Sequence, residues 1–248
     1  MFDSSTMNKL HEMHLTAMAT AFRIQCEDSN MQNLTFEERF GFLVDAEYNS
    51  RKNTRLKKLI KNAGFSDVTA AVENIEYLAD RKLDRELILK LATCTYIQEK
   101  HNVILLGPTG CGKTYIACAL GMAACRHYMT VRYVRLPDLI VEIELARASG
   151  EYTKYMKQLK KIDLLILDEW LLYKVEEADS HALLELIESR AKKTSTIFCS
   201  QFDIPGWTEK IGNKILAESV CDRIVHDSYK IYISGDESMR KRKGLANQ

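Results

Sequence analysis

Residues 107–114, Gly107-Pro108-Thr109-Gly110-Cys111-Gly112-Lys113-Thr114, constrain this chain more than any other stretch. They satisfy the pattern G-x-x-x-x-G-K-[ST] and lie between an apolar run, Asn102–Leu106, and a helical stretch from Tyr115 to Arg126. Glycines at these places let successive backbone N–H groups converge on phosphate oxygens. The helix that follows aims its positive end at the same anion. The pattern therefore predicts a nucleotide-binding loop made by Gly107 to Thr114, with Tyr115 beside it. Lys113 is expected to reach the β- and γ-phosphates and the Thr114 hydroxyl to ligate Mg²⁺. A loop of this kind needs a strand behind it and a helix in front, so it commits the chain to an α/β fold.

The sequence after residue 100 supplies that fold. Thr130–Arg135, Leu164–Leu167, Thr194–Cys199 and Lys230–Ile233 are further short apolar or β-branched runs, separated by helical patterns. Alternation of this type predicts a five-stranded, mostly parallel sheet with helices on both faces. The third run ends in Asp168-Glu169. An acid at the C-terminal end of a strand beside the phosphate loop suits Asp168 to Mg²⁺. Glu169 is then placed to polarise a water for attack on the γ-phosphate. The tandem acids favour hydrolysis over a small-molecule kinase, and intact Lys113, Thr114, Asp168 and Glu169 disfavour a non-hydrolysing switch.

The first sixty residues have a different texture. Met7 to Ile24 reads as one Ala- and Met-rich helical stretch. Thr35-Phe-Glu-Glu38 has the form of a capping box. Phe36, Phe40, Leu43 and Val44 then make one apolar stripe. Asn62-Ala-Gly-Phe breaks the pattern, which predicts a small helical domain over 1–65 and a second domain over 66–248. Charge separates the parts further. The whole chain balances to +1, but residues 51–62 carry six basic residues and no acidic one. Arg51, Lys52, Arg55, Lys57, Lys58 and Lys61 thus form a patch suited to a polyanion, and a second basic run starts at Arg240.

Together GPTGCGKT, LLILDEW and DRIVHDSYKIYISGDESMR resemble the IstB-like ATPases, helper proteins of insertion-sequence transposition in the AAA+ class. The helicase loader DnaC is a close relative of that family. The resemblance spans roughly residues 34–245. It implies an ATP-dependent protein that binds duplex DNA, self-associates and assists a transposase in target selection; a DnaC-like helicase loader is the alternative. It also implies a reduced or absent C-terminal lid. Gln201 stands where the family's sensor strand usually carries Asn. Arg223 matches the position that projects into a neighbouring subunit's nucleotide, with an intrahelical pair to Asp222 or Asp227 as the other reading. Arg240 resembles a nucleotide-sensing arginine and is nearly as well suited to a DNA phosphate. Residues 137–163 read as two helices broken at Ser149-Gly150. The second carries Lys154, Lys157, Lys160 and Lys161 on one side, a face either toward DNA or toward solvent.

Other features point away from alternative classes. No apolar run is long enough to cross a membrane. Seven scattered Cys, with no C-x-x-C, suit reduced thiols and a cytoplasmic protein. His11-Glu-Met-His14 is one residue short of zinc-protease spacing. Trp170 and Trp207 are expected in the core.

Overall fold

Each of the five apolar runs becomes a strand, and the strands share one direction. The computed structural model describes residues 4–235 and 237–242. The strands are β1 (Asn102–Leu106), β2 (Val131–Arg135), β3 (Leu164–Asp168), β4 (Ser195–Ser200) and β5 (Ser228–Tyr232). They form one parallel sheet in the order β2-β3-β4-β1-β5. The three central strands are buried throughout, whereas β2 and β5 at the edges are partly exposed. That difference explains why NVILL, LLILD and STIFCS read as nearly continuous apolar runs.

The helices are α1 (Ser4–Glu12), α2 (Thr16–Glu27), α3 (Phe36–Ala63), α4 (Arg85–Ala92), α5 (Thr95–Gln98) and α6 (Lys113–Arg126), followed by α7 (Leu136–Ala148) and α8 (Tyr152–Lys161). Then come α9 (Glu177–Arg190), α10 (Ile204–Lys210), α11 (Lys214–Val225) and α12 (Met239–Arg242). Alternate strand residues serve opposite faces of the sheet. Ile104, Leu106, Leu165, Leu167 and Phe198 join a core with residues of α7 to α11. Buried α6 packs near Ile166 on the other face, where its Gly121 has Phe65 and Ile166 against it. Trp170 and Trp207 are fully buried, with ring centroids 6.0 Å apart. No helix among the described residues is long and apolar enough to cross a membrane.

The chain divides into two compact units, Met1–Lys58 and Leu59–Gln248, so the division falls within α3. In the first unit the stretch expected as one helix is two. His14 adopts φ 58° between α1 and α2, although no glycine or proline marks the break. The Glu47 carboxylate accepts the N–H groups of Ala17 and Met18 and also pairs with Arg51, so it caps α2 from α3. The capping box forms as expected, with Thr35 N–H to Glu38 Oε2 at 2.8 Å and Glu38 N–H to Thr35 Oγ1 at 3.3 Å. The apolar stripe behaves differently from a core stripe. Phe36, Phe40 and Val44 are exposed, and Ala19 and Glu47 are the buried residues of this unit among those described.

Candidate active site

Residues 107–112 connect β1 to α6 in a tight loop. An added Cβ at Gly107 would meet the Ile233 carbonyl oxygen at 2.2 Å, so the chain passes too close here for any side chain. Gly112 has φ 95° and hands directly to Lys113, the first residue of α6. Lys113 is 8 % exposed, and its Nζ donates to Gly107 O at 2.6 Å and Pro108 O at 2.8 Å. No carboxylate among the described residues lies within ion-pair distance of it. Its Nζ also lies 3.8 Å from Cys111 Sγ, so the contacts it makes are with neutral groups and suit it to a bound anion. A cavity of about 380 Å³ opens beside it, lined in part by Gly110, Gly112, Thr114 and Tyr115.

The sheet order brings the acids to this loop. β3 ends at Asp168, which is 5 % exposed, and its Oδ2 accepts from Thr114 Oγ1 at 2.7 Å. The same oxygen accepts from Tyr133 OH at 2.8 Å. Burial and the adjacent carboxylate push the Tyr133 phenol well above its usual range, so the hydroxyl keeps its proton and donates. These hard oxygens suit a Mg²⁺ ion, which takes oxygen ligands such as carboxylates. Glu169 follows in a left-handed conformation, φ 53°, at the turn out of β3. Its Oε2 pairs with Arg135 Nη2 at 2.7 Å, because Arg135 stands opposite Asp168 in the sheet register.

Gln201 lies just past β4, between the strands that carry the loop and the acids. Its Oε1 accepts from Thr109 Oγ1 at 2.8 Å. The Ser200 hydroxyl holds the neighbouring turns together: it donates to Trp170 O and accepts from Trp207 Nε1, both at 2.9 Å. Loop, carboxylates and amide therefore converge at the carboxyl ends of β1, β3 and β4, where open α/β sheets bind ligands.

The remaining sequence candidates lie elsewhere. Arg223, near the end of α11, pairs with Glu188 at 2.7 Å and donates to Ser219, so neither Asp222 nor Asp227 takes it. Arg240 lies in α12, but its side chain is outside the described residues, as are 243–248. Arg51, Lys52, Arg55, Lys57, Lys58 and Lys61 all fall on α3. Lys52 lies over the Tyr48 ring at 4.4 Å, whereas Lys57, Lys58 and Lys61 are exposed. The break at Ser149-Gly150 separates α7 from α8 as expected, with Gly150 at φ 73°. On α8, Lys154 pairs with Glu151 and Lys160 with Glu185, while Lys157 is exposed.

Sequence reasoning missed Tyr133, Arg135 and Arg81. The first two are alternate residues at the end of β2, and placing that strand beside β3 would have found them. No local signal marks Arg81.

Comparison with known proteins places the chain in a family. Residues 8–246 match the family described as IstB-like ATP binding protein. The chain is 37 % identical over 238 residues to an insertion sequence ATP-binding protein of Sinorhizobium fredii, covering 96 % of each. It is 39 % identical over 213 residues to the ATP-binding protein of insertion sequence IS1162 of Pseudomonas fluorescens, covering 86 % of this chain and 91 % of that one. Among solved structures, DnaI superimposes with a TM-score of 0.59 at 18 % identity, over 72 % of this chain and 94 % of DnaI. At that identity the likeness speaks for the fold, which is the AAA+ P-loop fold.

Proposed function

Because the chain belongs to the family of IstB-like ATP binding proteins, we propose that it hydrolyses ATP to ADP and phosphate while assembling on duplex DNA to assist an insertion-sequence transposase in target selection. The observation that carries the ATPase part is the Thr114–Asp168 contact, with buried Lys113 on one side and Glu169 on the other. In this reading Lys113 faces the β- and γ-phosphates, and the N–H groups of Gly110 and of Gly112 to Tyr115 cradle them. Thr114 and Asp168 would hold Mg²⁺, which offsets the negative charge of the phosphates. Glu169 takes the proton of the attacking water, and the Gln201 amide orients that water. Arg223 acts on the nucleotide of a neighbouring subunit after leaving Glu188.

The helical residues 1–65 serve DNA binding and assembly in this reading, and 66–248 are the ATPase domain. Support for the DNA role comes from the exposed lysines of α3, with Lys154 and Lys157 of α8 as a second surface.

The test combines two variants with nucleotide titration and phosphate release. Lys113→Ala should lose ATP binding. Glu169→Gln should bind ATP like the wild type but not turn over. Wild-type turnover in both variants would remove the site assignment.

A further inference from the structure

Two arginines are buried beside the sheet, and they are satisfied very differently. Arg190, 2 % exposed, places all three nitrogens: Nε on Thr196 Oγ1, Nη1 on Leu159 O and Ile162 O, and Nη2 on Ser195 O. It ties α8, α9 and β4 together, and burial pulls its pKa down to about 9. Arg81, 4 % exposed, ends a 3-10 turn at Ala79–Arg81 and sits at the phosphate loop. Its Nη2 donates to Cys111 O at 2.8 Å and its Nη1 to Glu76 O. Its Nε is buried with no partner, and no carboxylate among the described residues is within ion-pair distance. A buried guanidinium with one nitrogen unpartnered is costly for the fold alone. It lines the same cavity as Lys113, another buried cation with no carboxylate in ion-pair distance among the described residues.

From this contrast we infer that Arg81 is a positioning residue of the nucleotide site, acting through the Cys111–Gly112 peptide; the inference rests on the ATP reading above. The peptide is trans, so its C=O and N–H point in opposite directions. With the Cys111 carbonyl held on Arg81, the Gly112 N–H is fixed pointing away from Arg81. Gly112 leaves Arg81 room for this, since an added Cβ would meet Nη2 at 2.9 Å. The Gly110 carbonyl is held in the same manner by Met239 N–H at 2.8 Å. These two supports are themselves joined. Ser234 N–H donates to Arg81 O at 3.0 Å, and Arg242 of α12 pairs with Asp80. The segment before β1 and the segment after β5 thus form one buckle around the loop.

The experiment compares Arg81→Met, which keeps the stem without the charge, with Arg81→Lys, which keeps the charge and one donor. Affinities for ATP and for inorganic triphosphate are measured by competition against a fluorescent ATP analogue, alongside melting temperatures without nucleotide. Arg81→Met should weaken ATP and triphosphate by the same factor, about tenfold or more, and Arg81→Lys should restore most of it. Equal loss for both ligands identifies an effect on the loop. Unchanged affinity in Arg81→Met overturns the inference, as does weakened ATP with triphosphate spared, which marks a base contact. A nucleotide-free melting temperature lowered in both variants, with no rescue by Lys, overturns it in favour of a structural role. Wild type that binds neither ligand removes the ATP reading itself.

Discussion

Replacing Arg135 should speed the proposed ATP hydrolysis. Its guanidinium holds the Glu169 carboxylate at 2.7 Å, and that carboxylate is the group proposed to take a proton from water. A carboxylate committed to an ion pair has to leave it, or share it, before acting as a base. The side chains are 47 % and 30 % exposed, so the pair is strongly solvated and worth about 0.5–1 kcal/mol. Removing that amount from the barrier corresponds to roughly a two- to fivefold rise in kcat. Arg135→Ala should therefore turn over faster at saturating ATP, with KM almost unmoved because Arg135 makes none of the loop's contacts. The assay is steady-state phosphate release at low and at high salt. Salt screens an exposed pair, so the advantage of the variant should shrink as ionic strength rises. Glu169→Gln in the Arg135→Ala background should stay inactive, which shows that the gain runs through that carboxylate. A fall in kcat on removing Arg135 would refute the reasoning and assign the pair to holding Glu169 in its working position.

Other outcomes follow from the same geometry. Arg223→Ala should lower turnover but leave ATP affinity intact, and mixing it with Lys113→Ala should restore partial activity; verified mixed assemblies without rescue would count against action between subunits. Neutralising Lys57, Lys58 and Lys61 should flatten the salt dependence of DNA affinity by about three log units per log unit of salt, alike on two unrelated duplexes. An unchanged slope would move the DNA surface to Lys154 and Lys157. A thiol reagent at pH 8 should react rapidly with exposed Cys26 and with no other cysteine. Burial raises Cys94 and Cys221 to about 11 and Cys125 to about 12, so almost no thiolate is present at those sites. Rapid loss of a second thiol in native protein would contradict this.

The strands were legible because a fully buried parallel strand leaves an apolar run with sharp ends, and β1 keeps the bounds read for it. Asp168 was legible for a related reason, since it closes the apolar run of β3, and Lys113 because the glycine spacing before it is a local pattern. The turn at His14 was not, because a left-handed residue other than glycine carries no local mark. The stripe from Phe36 to Val44 has helical spacing whether or not anything covers it, so periodicity could not report its exposure. Tyr133 and Arg135 owe their roles to strand register, and Arg81 to a carbonyl thirty residues further along the chain. Such contacts exist only after folding has brought distant segments together.

The strand order also sets a timetable for synthesis. β1 and β3 do not touch; β4 stands between them and pairs with both. A nascent chain that has released β1, α6 and β3 holds Lys113, at the start of α6, and Asp168, at the end of β3, without the strand that joins β1 to β3. Residues Ser195–Ser200 must emerge and insert before the two halves share a sheet. Nucleotide therefore meets the loop and the acids in one sheet only late in synthesis. Its stabilising effect begins only when the fourth strand has closed the gap.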